Sequence, residues 1–319
     1  MKTKKYLVTG GTGFIGSALT KRLINDGNRV VVFDNNSRGS TDRLVEVADD
    51  LHIINGDIRD RDSVIKACKG IDSVCHLAYV NGTATFYKSP HQVLEVAVKG
   101  IMNIIDGCIY HNVPELIIAS SSEVYQNPHN IPTDETVPLN IPDIYNPRLS
   151  YGGGKIISEL LVMNYGRKFF EKVLVFRPHN VYGPAMGFDH VIPQFINKMK
   201  ELSNNSKEII QFPIQGSGKE TRAFIYISDF IEGLMAVIEK GEHLNIYNIG
   251  TMKEITISTL AELIAKYFSR KIHIVPGKAL EGSPIRRCPD ISKLKSLGFL
   301  PVVKIDSGLQ FTKEWYINN

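Results

Sequence analysis

The run Gly10-Gly11-Thr12-Gly13-Phe14-Ile15-Gly16 constrains the chain most, because it sits between a β-branched strand, Tyr6–Thr9, and a segment of helical period, Ile15–Asp26. A strand that turns directly into a helix needs one glycine for the tight turn. A second lets the backbone approach a pyrophosphate, and a third lets helix and strand pack closely. Phosphates then meet the helix N-terminus, where unsatisfied N–H groups and the dipole favour negative charge. Asp34 ends the second strand, Val30–Asp34, about 20 residues after the glycines, the spacing at which a carboxylate binds both ribose hydroxyls and repels a 2′-phosphate. This points to NAD over NADP, although Arg38 is placed to accept a phosphate, and a strand-end aspartate also caps turns. Asp57 and Ile58 follow the third strand, where the aspartate can reach an adenine amine. The candidate cofactor residues are Gly10, Gly13, Phe14, Ile15, Gly16, Asp34, Asn35, Asp57 and Ile58, with Leu77 and Ala78 after the fourth strand.

Up to about residue 180, short apolar runs alternate with longer helical segments, the pattern of an α/β doubly wound parallel sheet. The expected strands are Tyr6–Thr9, Val30–Asp34, His52–Ile54, Ser73–Leu77, Leu116–Ser120 and Val173–Arg177, with Val93–Tyr110 and Tyr151–Phe170 as the longest helices. Residues Asn127–Pro147 hold five prolines and read as a long surface loop. Beyond Arg177, glycines and prolines break the alternation. Arg222–Glu239 then reads as a helix and Asn245–Ile249 as a strand returning to the main sheet, followed by the helix Ile257–Phe268. The expected organisation is a cofactor domain, 1–180 plus about 222–250, and a smaller α/β C-terminal lobe for substrate, 181–221 plus 251–319.

Hydrophobic residues make up 43% and charged residues 22%, enough for a sizeable core and unlike a disordered chain. With 37 Lys and Arg against 33 Asp and Glu there is no extended basic surface for nucleic acid. Cys68, Cys75, Cys108 and Cys288 are far apart, which predicts reduced thiols in a cytoplasmic protein and no metal site. No apolar run approaches the ~20 residues that cross a bilayer, so neither a membrane span nor export is expected.

Tyr151 and Lys155, in Ser150-Tyr151-Gly152-Gly153-Gly154-Lys155, are four residues apart and share one helical face. A tyrosine has an ordinary pKa near 10. A neighbouring ammonium and an oxidised nicotinamide stabilise its phenolate, which can accept a hydroxyl proton near neutral pH. Ala119-Ser120-Ser121-Ser122-Glu123-Val124-Tyr125 follows the fifth strand and puts hydroxyls at the same sheet edge.

Together these motifs resemble the extended short-chain dehydrogenase/reductases, in their nucleotide-sugar epimerase/dehydratase branch, and the resemblance covers nearly the whole chain. It continues through Arg177-Pro178-His179-Asn180-Val181-Tyr182-Gly183-Pro184, Thr221-Arg222-Ala223-Phe224-Ile225-Tyr226-Ile227-Ser228-Asp229 and Arg286-Arg287-Cys288-Pro289-Asp290. The resemblance implies a Rossmann fold, NAD as cofactor, a nucleotide-diphosphate sugar as substrate and a homodimer built on the two long helices. Ser121 then bonds the reacting hydroxyl, Tyr151 is the base and Lys155 orients the nicotinamide ribose. Asn180 contacts the sugar or its phosphate. Arg222 and one of Arg286 and Arg287 clamp the diphosphate, as suits a bidentate guanidinium, and His190, Val191 and Pro193 line the base and ribose pocket. Four positions depart from the family: Gln126 stands for a Gly, Ala97 for a frequent Asn, His179 for an apolar or aromatic residue and Tyr79 for a small one.

The shared first step of the branch oxidises sugar carbon 4 to a ketone. Rotation of that ketone gives 4-epimerisation, removal of the carbon 5 proton opens dehydration or 5-epimerisation, and a carbon 6 carboxylate is lost as carbon dioxide. Glu123 resembles the glutamate of dehydratases and glucuronate decarboxylases, yet Ser122 stands where many dehydratases have a second acid. Epimerase, dehydratase and decarboxylase outcomes stay open here, as do a 4-dehydrogenase that releases the ketone and a catalytically silent NAD-binding protein. Glu123 is either the carbon 5 base or a structural acceptor.

Overall fold

A computed structural model of the chain describes residues 3–204, 209–278 and 284–319. Up to residue 178 the elements are β1 (Lys5–Thr9), α1 (Phe14–Asn25), β2 (Arg29–Asp34), β3 (Leu51–Asn55), α2 (Arg61–Ala67), β4 (Ser73–His76), α3 (Thr83–Lys88), α4 (Pro90–Tyr110), β5 (Glu115–Ala119), α5 (Leu149–Phe169) and β6 (Lys172–Pro178). Then come β7 (Val181–Tyr182), α6 (Val191–Ser203), β8 (Ile209–Pro213), β9 (Thr221–Ala223), β10 (Ile225–Tyr226), α7 (Ile227–Lys240) and β11 (Asn245–Ile249). The chain closes with β12 (Glu254–Thr256), α8 (Ile257–Tyr267), β13 (Lys271–Val275), β14 (Arg286–Arg287), α9 (Ser292–Ser296) and α10 (Ile305–Asn318). Two compact units result: Met1–Gln126, Pro138–Pro178 and Ile231–Tyr247 form the first, and Asn127–Val137, His179–Phe230 and Asn248–Asn319 the second.

The first unit carries a seven-stranded sheet in the order β11-β6-β5-β4-β1-β2-β3. Pairing is parallel from β6 through β5, β4, β1 and β2 to β3. Leu7, Val32, Val74, Leu116, Val173 and Val175 are fully buried along these strands, as the near-continuous apolar runs of a sheet covered on both faces require. Strands β2 and β3 lie on one side of β1 and β4 to β6 on the other. The strand order therefore reverses at the carboxyl ends of β1 and β4, the place where doubly wound sheets receive ligands.

The second unit contains small sheets, β10-β7, β12-β9-β14 and β13-β8, with α6, α8, α9 and α10. Segment 127–137 joins it through Thr133, whose N–H donates to the Cys288 carbonyl at 2.9 Å and whose carbonyl accepts from the Asp290 N–H at 2.8 Å. One expectation is corrected: Arg222–Glu239 is not a single helix. Arg222 lies in β9, Ile225 and Tyr226 in β10, and α7 starts only at Ile227. The apolar run Phe224-Ile225-Tyr226-Ile227 passes from strand into helix without a break, so its periodicity cannot mark the junction. The other expected elements lie within three residues of their observed bounds, α4 starting at Pro90, a residue suited to a first helical position.

Candidate active site

At the β1/β4 switch point a cavity of about 730 Å³, its open mouth included, is lined by Gly10, Gly13, Asp34, Asn35, Asp57, Ile58, Leu77 and Ala78 among others. Gly10 has φ +71°, and a Cβ there would stand 2.7 Å from the Ala78 nitrogen. A Cβ at Gly16 would overlap the Gly10 carbonyl, so the turn closes only without side chains. Gly13 caps α1 in extended geometry with no side-chain cap, which leaves the helix N-terminus to an anion. Phe14, Ile15 and Gly16 form the first turn of α1 behind that cap.

Asp34 lines the cavity and holds the turn. One carboxylate oxygen accepts the Thr12 N–H at 3.0 Å and the other the Asn36 N–H at 2.9 Å, so the pocket-lining carboxylate also ties the glycine turn to β2. Asp57 accepts from Asn35 Nδ2 at 3.2 Å and from Arg59 Nη2 at 2.7 Å. That guanidinium holds the Asp57 carboxyl down to about 2. Arg59, Ser37, Gly39, Gln92 and Val96 also line the cavity and were missed by sequence reasoning, since they have no motif of their own. Arg38, weighed as a possible phosphate acceptor, lines it too.

The residues expected to react lie in the same unit. Lys155, buried on α5, donates through Nζ to the Ala119 carbonyl at 2.6 Å. Burial pulls its ammonium down to about 7, against the pull of Glu159 one turn on. The nearby His76 ring bonds Thr9 Oγ1 at 2.8 Å, and burial together with the Lys155 charge pushes it down to about 3. Tyr151 is packed by Phe86, stacked at 4.9 Å, and by Tyr79, edge-on at 5.2 Å. The Ser121 hydroxyl caps the short 3₁₀ turn Ser122–Val124 by accepting the Glu123 N–H at 3.1 Å. Gly152, next to Tyr151, brings this turn against α5: a Cβ there would lie 3.0 Å from the Glu123 carbonyl. Glu123 pairs with Arg148 Nη2 at 3.5 Å.

Beneath these residues runs a buried network. Glu159 receives Arg177 Nε at 2.9 Å and Nη2 at 2.6 Å, together with the Ser120 hydroxyl. Arg177 Nη1 donates to the Tyr125 hydroxyl at 2.6 Å. Both ends of the Ser120–Tyr125 segment are thereby tied to α5 and β6.

Residues 6–250 match the model of the NAD dependent epimerase/dehydratase family. The chain belongs to that family. It is 32% identical over 319 residues to a putative UDP-glucose 4-epimerase of Methanocaldococcus jannaschii, covering 98% of each protein. It is also 32% identical over 317 residues to UDP-glucuronic acid decarboxylase 1 of Arabidopsis thaliana, covering 97% of this chain and 68% of that one. Among solved structures, the dTDP-glucose 4,6-dehydratase DesIV of Streptomyces venezuelae, determined with NAD bound, superposes with a TM-score of 0.88 at 25% identity, over 99% of this chain and 97% of that one. NAD is the cofactor.

Within this epimerase/dehydratase member the departures have visible consequences. Gln126, expected from the resemblance to be a departure, takes φ +53°, a conformation natural to glycine and costing a side-chain-bearing residue about 1 kcal/mol or more. Its amide donates to the Glu123 carbonyl at 2.5 Å. His179 is buried in the second unit, its Nε2 3.0 Å from Asn248 Oδ1. Asn180, at φ +42°, donates through Nδ2 to the Ala223 carbonyl at 3.1 Å. Val191 opens α6 after His190. β14 runs parallel to β9 with Arg286 opposite Thr221 and Arg287 opposite Arg222. Register partners share a sheet face, so Arg222 and Arg287 stand together. Arg286 points the other way and pairs with Glu254 at 2.6 Å. Among the described residues no helix is long and apolar enough to cross a membrane and no cluster suits a metal.

Proposed function

We propose that this protein oxidises carbon 4 of a nucleotide-diphosphate hexose to a 4-ketone and then completes an epimerisation or elimination at the sugar. The observation that carries the reading is the placement of Lys155, Tyr151 and the Ser121 turn on elements that converge in the unit that holds the dinucleotide cradle. NAD, when bound, supplies the oxidised nicotinamide that takes the carbon 4 hydrogen with its electron pair. Tyr151 receives the hydroxyl proton, and Ser121 donates a hydrogen bond to the same oxygen. Lys155 binds the nicotinamide ribose and favours the Tyr151 phenolate. In the second unit Arg222 and Arg287 are the clamp for the diphosphate, since the register puts them side by side while Arg286 is engaged by Glu254. Asn180 and Val191 complete the substrate set. The relatives support a uridine or thymidine diphosphate sugar.

Glu123 is the group that separates the outcomes. Its pairing with Arg148 orients a carboxylate next to the Ser121 turn, which supports Glu123 as the carbon 5 base. Incubation with UDP-glucose, UDP-glucuronate and dTDP-glucose, followed by mass and NMR analysis, distinguishes no mass change from loss of water or of carbon dioxide. Tyr151→Phe should slow oxidation by roughly 100-fold or more, the scale of a lost general base. A Tyr151→Phe protein with full turnover removes the base assignment. Glu123→Gln should still oxidise carbon 4 and then stall, without solvent deuterium entering carbon 5. An unimpaired Glu123→Gln enzyme that still incorporates deuterium there leaves the glutamate as a structural acceptor.

Self-association through α4 and α5 belongs to the same proposal. Leu94, Tyr110, Ile157, Leu160 and Phe169 are exposed on these helices of the first unit, an apolar surface suited to a second copy. All four cysteines are free, in keeping with a reducing, cytoplasmic setting.

A further inference from the structure

Tyr79 and Ala97 meet at Gly154. A Cβ on Gly154 would overlap the Tyr79 hydroxyl and stand 2.7 Å from the Ala97 Cβ. Glycine is among the poorest helix formers, so its presence inside α5 calls for a close approach, and the approaching group is the Tyr79 phenol. That phenol donates to the Tyr151 carbonyl at 3.4 Å. Its ring meets the Tyr151 ring at 83° and lies 3.7 Å, centroid to Nζ, from the Lys155 ammonium. A cation over a ring face is attracted by the quadrupole, more strongly where water is excluded.

We propose that Tyr79 is a positioning residue: its ring face seats the Lys155 ammonium and its edge and hydroxyl fix Tyr151, in space left by Gly154 and Ala97. The proposal rests on the reading of Tyr151 and Lys155 as the reacting pair. The groups that face Lys155 are the Tyr79 ring and His76 from β4 and its following turn, the Ala119 carbonyl from β5, and Tyr151 and Glu159 from α5. His76 is neutral above about 3, so the pull on the ammonium comes from Glu159, the Ala119 carbonyl and the Tyr79 ring. Burial works against all three. A tyrosine that only filled space would leave Lys155 unchanged when replaced by another apolar side chain.

The test is the titration of Lys155 in the NAD-loaded protein, followed by NMR of its side-chain carbon and assigned with Lys155→Met. Tyr79→Leu should lower the midpoint by about one pH unit, roughly a tenfold loss of proton affinity, whereas Tyr79→Phe, which keeps the ring face, should shift it by a few tenths at most. Gly154→Ala should displace the ring and match Tyr79→Leu, yet add little in a Tyr79→Leu background. An unchanged midpoint in Tyr79→Leu overturns the proposal, and so does Phe as damaging as Leu or a fully additive Gly154→Ala. Should Tyr79→Leu not fold, Gly154→Ala and Tyr79→Phe decide by the same criterion. No turnover is needed, so failure here is distinct from failure of the reaction, which Tyr151→Phe reads.

Discussion

Changing Glu159 to Gln should be among the most damaging single substitutions outside the residues proposed to react. The carboxylate takes two hydrogen bonds from Arg177 and one from Ser120, and Arg177 is only 1% exposed. Without it a guanidinium stays buried with no counter-charge, a change that costs about 3–5 kcal/mol. Whole domains are stable by only about 5–15 kcal/mol, so the expected fall in Tm is roughly 10 °C. Removing both charges in Glu159→Leu with Arg177→Met should restore much of the loss, because no uncompensated charge is left. Urea and thermal unfolding of the single and double variants, monitored by circular dichroism, measure this directly. A Glu159→Gln cost below about 1 kcal/mol, the value of an exposed pair, refutes the reasoning, as does a double variant whose loss is the sum of the two singles.

Asp34→Ala should weaken NAD binding about tenfold or more, by loss of charge-assisted hydrogen bonds, and narrow the gap between NAD and NADP. Calorimetry that finds both affinities unchanged leaves Asp34 as a turn residue only. The Asp57 carboxyl is held at about 2, below its ordinary value near 3.9, so its contribution to stability is complete above that ordinary value and lost as pH falls through about 2. Asp57→Asn should accordingly flatten Tm against pH between about 4 and 2, and an unaltered acid slope counts against the Arg59 pairing. Leu160→Glu, with Ile157→Glu, should prevent dimerisation in sedimentation experiments; a wild-type protein that sediments as a monomer ends that proposal.

The sequence determined what depends on neighbours along the chain. The glycine turn is one such feature, because the demand for small residues arises from a backbone that reverses within seven positions, Gly10 to Gly16. The parallel strands are another, since a strand covered on both faces must be apolar throughout. Tyr151 and Lys155 were legible as a pair because four residues make about one helical turn. Tertiary structure alone decided the rest. Nothing local links Glu159 to Arg177 or Tyr125, which fold into one network across a helix, a strand and a turn. Nor does any spacing show that Tyr79, Ala97 and Gly154 share one site. Arg286 and Arg287 are chemically identical and adjacent; only their register against β9 separates the arginine paired with Glu254 from the one opposite Arg222, because neighbouring side chains on a strand face opposite sides. The junction at Ile227 was hidden for a related reason: an apolar run suits strand and helix equally, and the partners that choose between them lie far away in sequence.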